Sequence, residues 1–378
     1  MTNEALAQYA NLSLYSAMAV FTLAMVGYAL YLAGLVPHRD RAAAAVRDEQ
    51  AAVRDEQAAV RDEQDAVRDE QAARARALVS AGMPGGGVTG VDAQVGAGSA
   101  GSGVGTDGAD GADGAAGADA SAVDEKEQVS ARARKAAGIA GTLTWLGGFL
   151  LVVSAVLRGA SVQRWPLGNM FEFAVVGAMF TILAFSIWST RRDLRWLGLF
   201  VVGPVLLTLG LAITVWYTEA AELLPSLKSV WLAIHVTVAT LATGLFAIAA
   251  SATGIYLVKD AFQRSGRRSV LDRFPDAPVI ERLAYGLHIV AFPLWTFTLI
   301  AGAIWARQAW GAYWNWDPKE VWTFVIWVVY AAYLHARATS GWSRQSANYI
   351  ALAGWACIVV NYTVVNMFFV SQHSYSGL

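Results

Sequence analysis

The chain has one cysteine, Cys357, set in an apolar run. That excludes an intramolecular disulfide and any relay of thiols within the chain. Charge is scarce as well: 15% of the 378 residues are Asp, Glu, Lys or Arg, against 56% hydrophobic residues, and the formal net charge is −1. So even a balance gives no lead to an acidic or basic partner, and nucleic acid is not expected as one. Met1-Thr2-Asn3-Glu4 lacks the basic region that opens a signal peptide, so the first apolar segment is expected to stay as a membrane span. Inverted repeats with broken helices, a mark of many solute transporters, are not visible. What remains is an all-α, polytopic membrane helix bundle, multi-pass in the cell membrane and surrounded by lipid.

About 20 apolar residues cross the hydrocarbon layer. Eight segments qualify, near 12–35, 138–157, 170–189, 196–216, 230–258, 283–306, 320–338 and 348–370. With the N-terminus outside, the inner loops carry 23 of the 28 basic residues and the outer loops 5; without the long first inner loop the count is still 11 to 5. Both termini are therefore expected outside, with Arg191, Arg192, Arg195, Lys259, Arg264, Arg267 and Arg268 toward the cytoplasm. Three parts follow: a first transmembrane helix over 1–36, a cytoplasmic insertion over 37–137, and a seven-helix membrane domain over 138–378. In the insertion, Ala-Val-Arg-Asp-Glu-Gln recurs with Val46, Val53, Val60 and Val67 seven apart, yet Glu stands three after each valine. No coiled-coil seam forms on that pattern, and a solvated charged helix is expected. Residues 81–120 are Gly, Ala, Asp and Ser, a composition expected to be disordered.

The stretch Trp310-Gly311-Ala312-Tyr313-Trp314-Asn315-Trp316-Asp317-Pro318-Lys319-Glu320 lies in an outward loop, 307–320, between two apolar spans. Six of the fifteen tryptophans fall between Trp305 and Trp327, more than an interfacial belt needs. A flat aromatic platform is expected, ending where Asp317 and Pro318 supply an N-cap and a proline at the first helical position. Of five histidines, His235 lies one turn inside the outer end of the fifth span and His373 follows the eighth. An aromatic surface with an imidazole at either edge suits a haem, whose faces bury against rings while iron takes two axial nitrogens. A bare metal would want three or four ligands. The plainer readings are an interfacial or hydrogen-bonded histidine and a tryptophan membrane anchor. His335 is fifteen residues beyond Glu320, about 22 Å along a helix, near the cytoplasmic end of the seventh span. His288 begins the sixth span in the same inner half, and His38 reads as a cytoplasmic interface residue. Asn169 and Glu172 read as a helix start, Asp317 and Glu320 as a capping pair, and Arg307, Lys228 and Arg164 as outward cations.

The Trp310–Glu320 stretch resembles the tryptophan-rich "WWD" signature of the haem-handling proteins of cytochrome c biogenesis, System II, in the CcsA/ResC branch often called CcsB in actinobacteria. The resemblance extends to Ala301-Gly302-Ala303-Ile304-Trp305-Ala306, Tyr333-Leu334-His335-Ala336-Arg337, Trp231 to Val236, His373-Ser374-Tyr375 and Pro166-Leu167-Gly168-Asn169-Met170-Phe171-Glu172. It implies a protein that takes haem b from the cytoplasmic side and presents it outside for thioether attachment to the CXXCH of apocytochrome c, as a subunit of a haem lyase complex. By the same resemblance His235 and His373 are the external ligands of the haem iron and His335 an inner one, over a platform of Trp310, Trp314, Trp316 and Asp317. Asn169 and Glu172 become pocket candidates. A ResB-type membrane partner would supply the second inner ligand, and a thioredoxin-like pathway the reduced thiols. His288 departs from the family pattern and is a candidate local addition to the inner site. The alternatives are a haem exporter or chaperone without synthase activity, a cytochrome b-like redox protein, and a non-haem membrane transporter.

Overall fold

The computed structural model describes residues 3–35, 38–80, 116–222, 228–267 and 269–372. The chain divides into two compact units, one of residues 1–37 with 127–378 and one of residues 38–126. In the smaller unit, α2 (His38–Ser80) is a single helix. Its Val53, Val60 and Val67 are each about half exposed, and Arg74 pairs with Glu70 one turn away at 2.8 Å. These are the marks of the solvated helix that the repeat predicts. Of the segment expected to be disordered, residues 81–115 lie outside the described residues, whereas 116–120 already belong to a helix.

The larger unit is a bundle of long helices: α1 (Glu4–Gly34), α3 (Ala116–Val162, in this unit from residue 127 on), α4 (Met170–Ser189), α5 (Gly198–Thr214), α6 (Val230–Arg264), α7 (Ala277–Trp310), α8 (Pro318–Ala338) and α9 (Arg344–Val360). Past α9 the chain widens into a π-helical turn, Asn361–Val365, and one last turn, Asn366–Phe368. Eight helices are long and apolar enough to cross a membrane, and no strand occurs among the described residues. The helices overrun the expected spans. α1 starts at Glu4, where Asn3 accepts from the Leu6 amide, eight residues before the apolar segment begins. α7 runs 34 residues, about 51 Å at 1.5 Å per residue, against a hydrocarbon layer of about 30 Å.

α6 packs along α7, α4 lies against both α5 and α6, α1 against α5, and α8 against α9 and α7. Hydrogen bonds tie α1 to α3, from Ser13 Oγ to the Leu150 carbonyl at 2.8 Å and between Tyr28 and Thr144 at 3.2 Å. Buried charges are matched at the helix ends. Lys259, 2% exposed, donates its three protons to the carbonyls of Leu271, Phe274 and Pro275 at 3.0, 2.8 and 2.8 Å. A lysine counted among the basic loop residues thus clasps the α6–α7 connection instead. At the end of the bundle away from the tryptophan stretch, Glu281 of α7 pairs with Arg337 of α8 at 2.8 Å, and the guanidinium lies over Tyr285 at 4.5 Å.

Breaking a buried pair leaves one charge uncompensated, and about 3 to 5 kcal/mol is the usual cost. Glu281→Ala is expected to lower the thermal unfolding midpoint of the detergent-solubilised protein. The double replacement Glu281→Leu/Arg337→Met should recover most of it, because no lone charge is left behind.

Candidate functional site

The tryptophan stretch forms where α7 stops. Gly311 ends that helix at φ +83°, a left-handed cap that glycine adopts without Cβ strain. Arg307 donates to the Gly311 carbonyl, and its guanidinium lies 6.0 Å from the Tyr313 ring centre. α8 begins with the capping box that Asp317-Pro318-Lys319-Glu320 predicts. Asp317 Oδ1 accepts from the Lys319 amide at 3.0 Å, and Glu320 Oε2 accepts from the amides of Asp317 and Asn315 at 3.1 and 2.9 Å. Between these anchors Trp316 takes φ +58°, an unusual conformation for a bulky residue, and its ring is 77% exposed.

The aromatic surface is not flat. The Trp314 and Trp316 rings are nearly perpendicular, 5.8 Å apart at 87°, and Trp305 and Trp310 are tilted by 45° at 5.5 Å. Rings of this size pack edge to face more readily than in one plane, because their quadrupoles repel face to face. Trp314 therefore walls a cavity, together with Tyr313, Trp305 and Trp295, while Trp310 backs Trp305. The cavity, about 170 Å³ and open on one side, is lined by α4, α6, α7, α8 and the π-helical turn. Pockets that enclose a whole drug-sized ligand run from about 300 to 1,000 Å³. This one is smaller than that range.

His235 is on its wall. Ser229 caps α6 by accepting from the Trp231 amide, which places the histidine in the second turn. His235 Nδ1 lies 2.9 Å from the Thr298 carbonyl oxygen on α7. A carbonyl only accepts, so Nδ1 carries the proton and Nε2 is the lone-pair nitrogen of the neutral ring, the arrangement found in metal-ligating histidines. The ring leans on Trp305, 5.7 Å away, and on Gly302. A Cβ at residue 302 would come within 2.8 Å of His235 Cε1 and 3.0 Å of Nδ1. Glycine is what lets α7 approach the imidazole.

The lining also carries polar groups. Lys319 lines the cavity and donates from Nζ to the Asn361 carbonyl at 3.1 Å. Asn361 Oδ1, Asn366 Oδ1 and Glu320 Oε1 are buried lining atoms with no hydrogen-bond partner among the described residues. Tyr362 locks the π-helical turn by donating to the Met170 carbonyl at 2.7 Å and stacking on Phe173. Sequence reasoning passed over Lys319, although a cation in the first turn of a helix opposes the macrodipole and was a signal to read.

The other candidates are dispersed. Asn169 caps α4 through the Glu172 amide at 2.8 Å and also lines the cavity. Glu172, 1% exposed, is fully engaged: Arg158 Nε at 3.0 Å, Arg164 at 2.8 and 3.0 Å, and the Gly168 amide at 2.7 Å. It braces the Leu167–Asn169 wall instead of facing the cavity, and it occupies Arg164. Lys228 pairs with Glu222 at 3.7 Å. His288, 1% exposed, is enclosed by Tyr333, Tyr330 and Phe246 with ring centres 4.7, 5.5 and 6.0 Å away. Its Nδ1 lies 2.8 Å from the Ala284 carbonyl oxygen, and Nε2 has no partner among the described residues. His335 is exposed in the last turn of α8, in contrast to the enclosed His288. Trp310, Trp316 and Asp317 are not among the lining residues. His373 lies outside the described residues, as does the side chain of His38.

Residues 165–372, more than half of the chain, match the family model of the cytochrome c assembly protein. The chain belongs to this family. Cytochrome c biogenesis protein CcsA of Guillardia theta is 33% identical over 242 residues, covering 57% of this chain and 77% of its own length. The CcsA proteins of Picosynechococcus and of Prochlorococcus marinus strain NATL1A are 32% and 35% identical, over 58% and 60% of this chain and 83% and 81% of theirs. This member of the cytochrome c assembly family is accordingly a CcsA-type protein of cytochrome c biogenesis, and the matched residues include the whole cavity lining.

Gly302→Ala is expected to push the His235 ring off Thr298 and lower the yield of mature cytochrome c roughly five- to tenfold, on the scale of one lost orienting hydrogen bond. Haem-stained cytochrome c in a complemented deletion strain measures it. Gly286→Ala, where an added Cβ meets nothing within 4 Å, should leave the yield intact.

Proposed function

We propose that the cavity receives the edge of a haem, with His235 as one axial ligand of the iron and His373 as the other, and presents it for covalent attachment to apocytochrome c. The observation that carries this reading is His235 itself, a cavity-lining ring whose Nδ1 is engaged by the Thr298 carbonyl, so that Nε2 is the nitrogen that would ligate iron. The walls suit the cargo. Trp305, Trp314 and Tyr313 offer ring faces and edges to a macrocycle, and Lys319 offers a cation to an acidic edge. In this reading the tryptophan loop and both termini face outward, as the Lys and Arg count indicates.

The protein's part in the chemistry is to hold and orient. The thiol of each CXXCH cysteine adds across a vinyl group of the haem: a C–S bond forms at the carbon next to the ring, the thiol proton ends on the terminal carbon, and no net oxidation occurs. Two histidines saturate the iron until the apocytochrome's own histidine replaces one. His335, exposed on α8, is placed to share an inner haem with a ligand from a ResB-type partner, and a thiol-reducing pathway keeps the apocytochrome cysteines reactive. The enclosed His288 has no part in this reading.

Replacing His235 or His373 with alanine is expected to lower bound haem or shift its reduced absorption spectrum, and to abolish maturation in the double variant. Full maturation by the double variant overturns the proposal. Lys319→Met should retain ligation but weaken haem retention about tenfold, read as haem loss through gel filtration, on the scale of one charge-assisted hydrogen bond.

A further inference from the structure

A second, larger hollow opens beside the first. It has a volume of about 880 Å³ and lies between the last turns of α3, the connection over 163–167 and the opening turns of α4 and α6. That is within the range of about 300 to 1,000 Å³ in which proteins enclose whole ligands. Its polarity is confined to one end. Gln163, Arg164, Glu222, Lys228 and Ser229 all stand in the connections between helices, whereas within the helices Thr237 is the one polar side chain among the described lining residues. The depth of the apolar part is the telling measure. Val152 lies ten residues before the end of α3 at Val162, and Phe180 ten residues past the start of α4 at Met170, about 15 Å in each case at 1.5 Å per residue. Half of a hydrocarbon layer of about 30 Å is the same length, one leaflet. Trp165, 65% exposed in the polar connection, suits the level at which tryptophans meet lipid headgroups.

We propose that this groove binds one diacyl phospholipid of the leaflet on the tryptophan-loop side, with an acyl chain along α3 and α4 and the phosphate at Lys228. Arg164 is held by Glu172 at 2.8 and 3.0 Å. Lys228 is held loosely, 3.7 Å from Glu222 with both side chains more than half exposed, and exposed pairs of this kind are weak enough for a phosphate to compete. An apolar hollow does not retain water. A helix of another protein fits less well, because helices in a membrane meet where small residues let their backbones approach. The glycine of this groove is already covered: a Cβ on Gly159 would stand 2.9 Å from the Arg164 carbonyl oxygen and 3.3 Å from Pro166 Cδ. Leu167 and Leu232 line both the groove and the cavity of His235, so the bound chain shares a wall with that cavity. The proposal does not depend on what the cavity receives.

The full chain is stripped of lipid in detergent and titrated with a phosphatidylglycerol that carries a diazirine on one acyl chain, then irradiated and mapped by peptide mass spectrometry. Unlabelled phosphatidylglycerol and diacylglycerol, which lacks the phosphate, are the competitors. Three variants accompany the wild type. Val152→Trp fills part of the apolar groove, Lys228→Glu opposes the phosphate, and Ile139→Trp enlarges an exposed position of α3 that does not line the groove. Because Lys228 is on the surface, its variant carries the test even if Val152→Trp does not fold.

Labelling is expected to saturate and to concentrate in the peptides that hold 152–162 and 176–180. Phosphatidylglycerol should compete about tenfold better than diacylglycerol, and Lys228→Glu should lower labelling below saturation about tenfold, both on the scale of one charge-assisted hydrogen bond. Val152→Trp should lower it about tenfold as well, the scale of two methylenes kept out of the groove, and Ile139→Trp should leave it unchanged. Labelling that never saturates and spreads evenly to exposed positions such as Ile139 and Phe149 is a general coat of lipid and overturns the site. Equal competition by diacylglycerol with full labelling of Lys228→Glu overturns the phosphate contact. Displacement of the probe by haemin but not by phosphatidylglycerol, or groove peptides cross-linked to a second copy of the chain, gives the groove to another occupant and refutes the proposal.

Discussion

Seven residues without helical structure, from Gly311 to Asp317, join two apolar helices, and everything around the cavity depends on how their backbone is satisfied. Beside a membrane the exposed amides and carbonyls of such a stretch have no cheap alternative to a bond within the protein. Here charged side chains provide it. Arg307 reaches the Gly311 carbonyl, Glu320 gathers the amides of Asn315 and Asp317, and Asp317 takes those of Lys319 and Gln372. The same bonds fix where Trp314 stands, and therefore where one wall of the cavity is. A left-handed Trp316 is the visible strain of folding the stretch so tightly, and the capping box on either side holds it in place.

The same rule sorts the charges of the bundle. Glu172 with Arg158 and Arg164, Glu281 with Arg337, and Lys259 with three carbonyls are all matched within the protein. Such groups are costly to bury alone, so a matched set reads as bracing. Lys319 is of another kind. It donates to the carbonyl of Asn361, the first residue in a π-helical turn, and π turns gather at functional sites. Three buried acceptor oxygens, of Asn361, Asn366 and Glu320, belong to residues of the same lining, which is otherwise largely aliphatic and aromatic.

Much of this was legible in the sequence, for reasons that also mark where reading stops. Eight spans follow from runs of about 20 apolar residues, and Asp317-Pro318-Lys319-Glu320 announces its capping box because the cap is a local interaction over three residues. Helix ends such as Glu4 and Ala277 escape detection, because hydropathy senses the hydrocarbon layer and the helices continue past it. Long-range geometry escapes as well. Nothing local reveals that Gly302 makes room for His235, that Glu172 is held by two arginines, or that rings adjacent in sequence stand at 87°. His235 could be proposed as a ligand from its neighbours along the chain. Its tautomer needed Thr298, 63 residues away.

The shape of the cavity bears on how attachment can work. At about 170 Å³ it is smaller than the pockets that enclose a whole drug-sized ligand, so in the proposed function a haem enters it by one edge. Trp316, 77% exposed, and Tyr313, 61% exposed, present rings at that mouth. For a carrier that must only shield its cargo, this is poor enclosure. For a protein whose cargo has to be reached by a second polypeptide, it is the right compromise: the held edge fixes orientation, the ring edges of the loop limit water, and the open side admits a peptide carrying thiols. Tight burial would raise affinity for the haem and for its attached product alike, which slows release without favouring the bond-forming step. In the proposed function, an edge-gripping pocket beside exposed aromatic rings would hold haem firmly enough to aim it and loosely enough to surrender it to the apocytochrome.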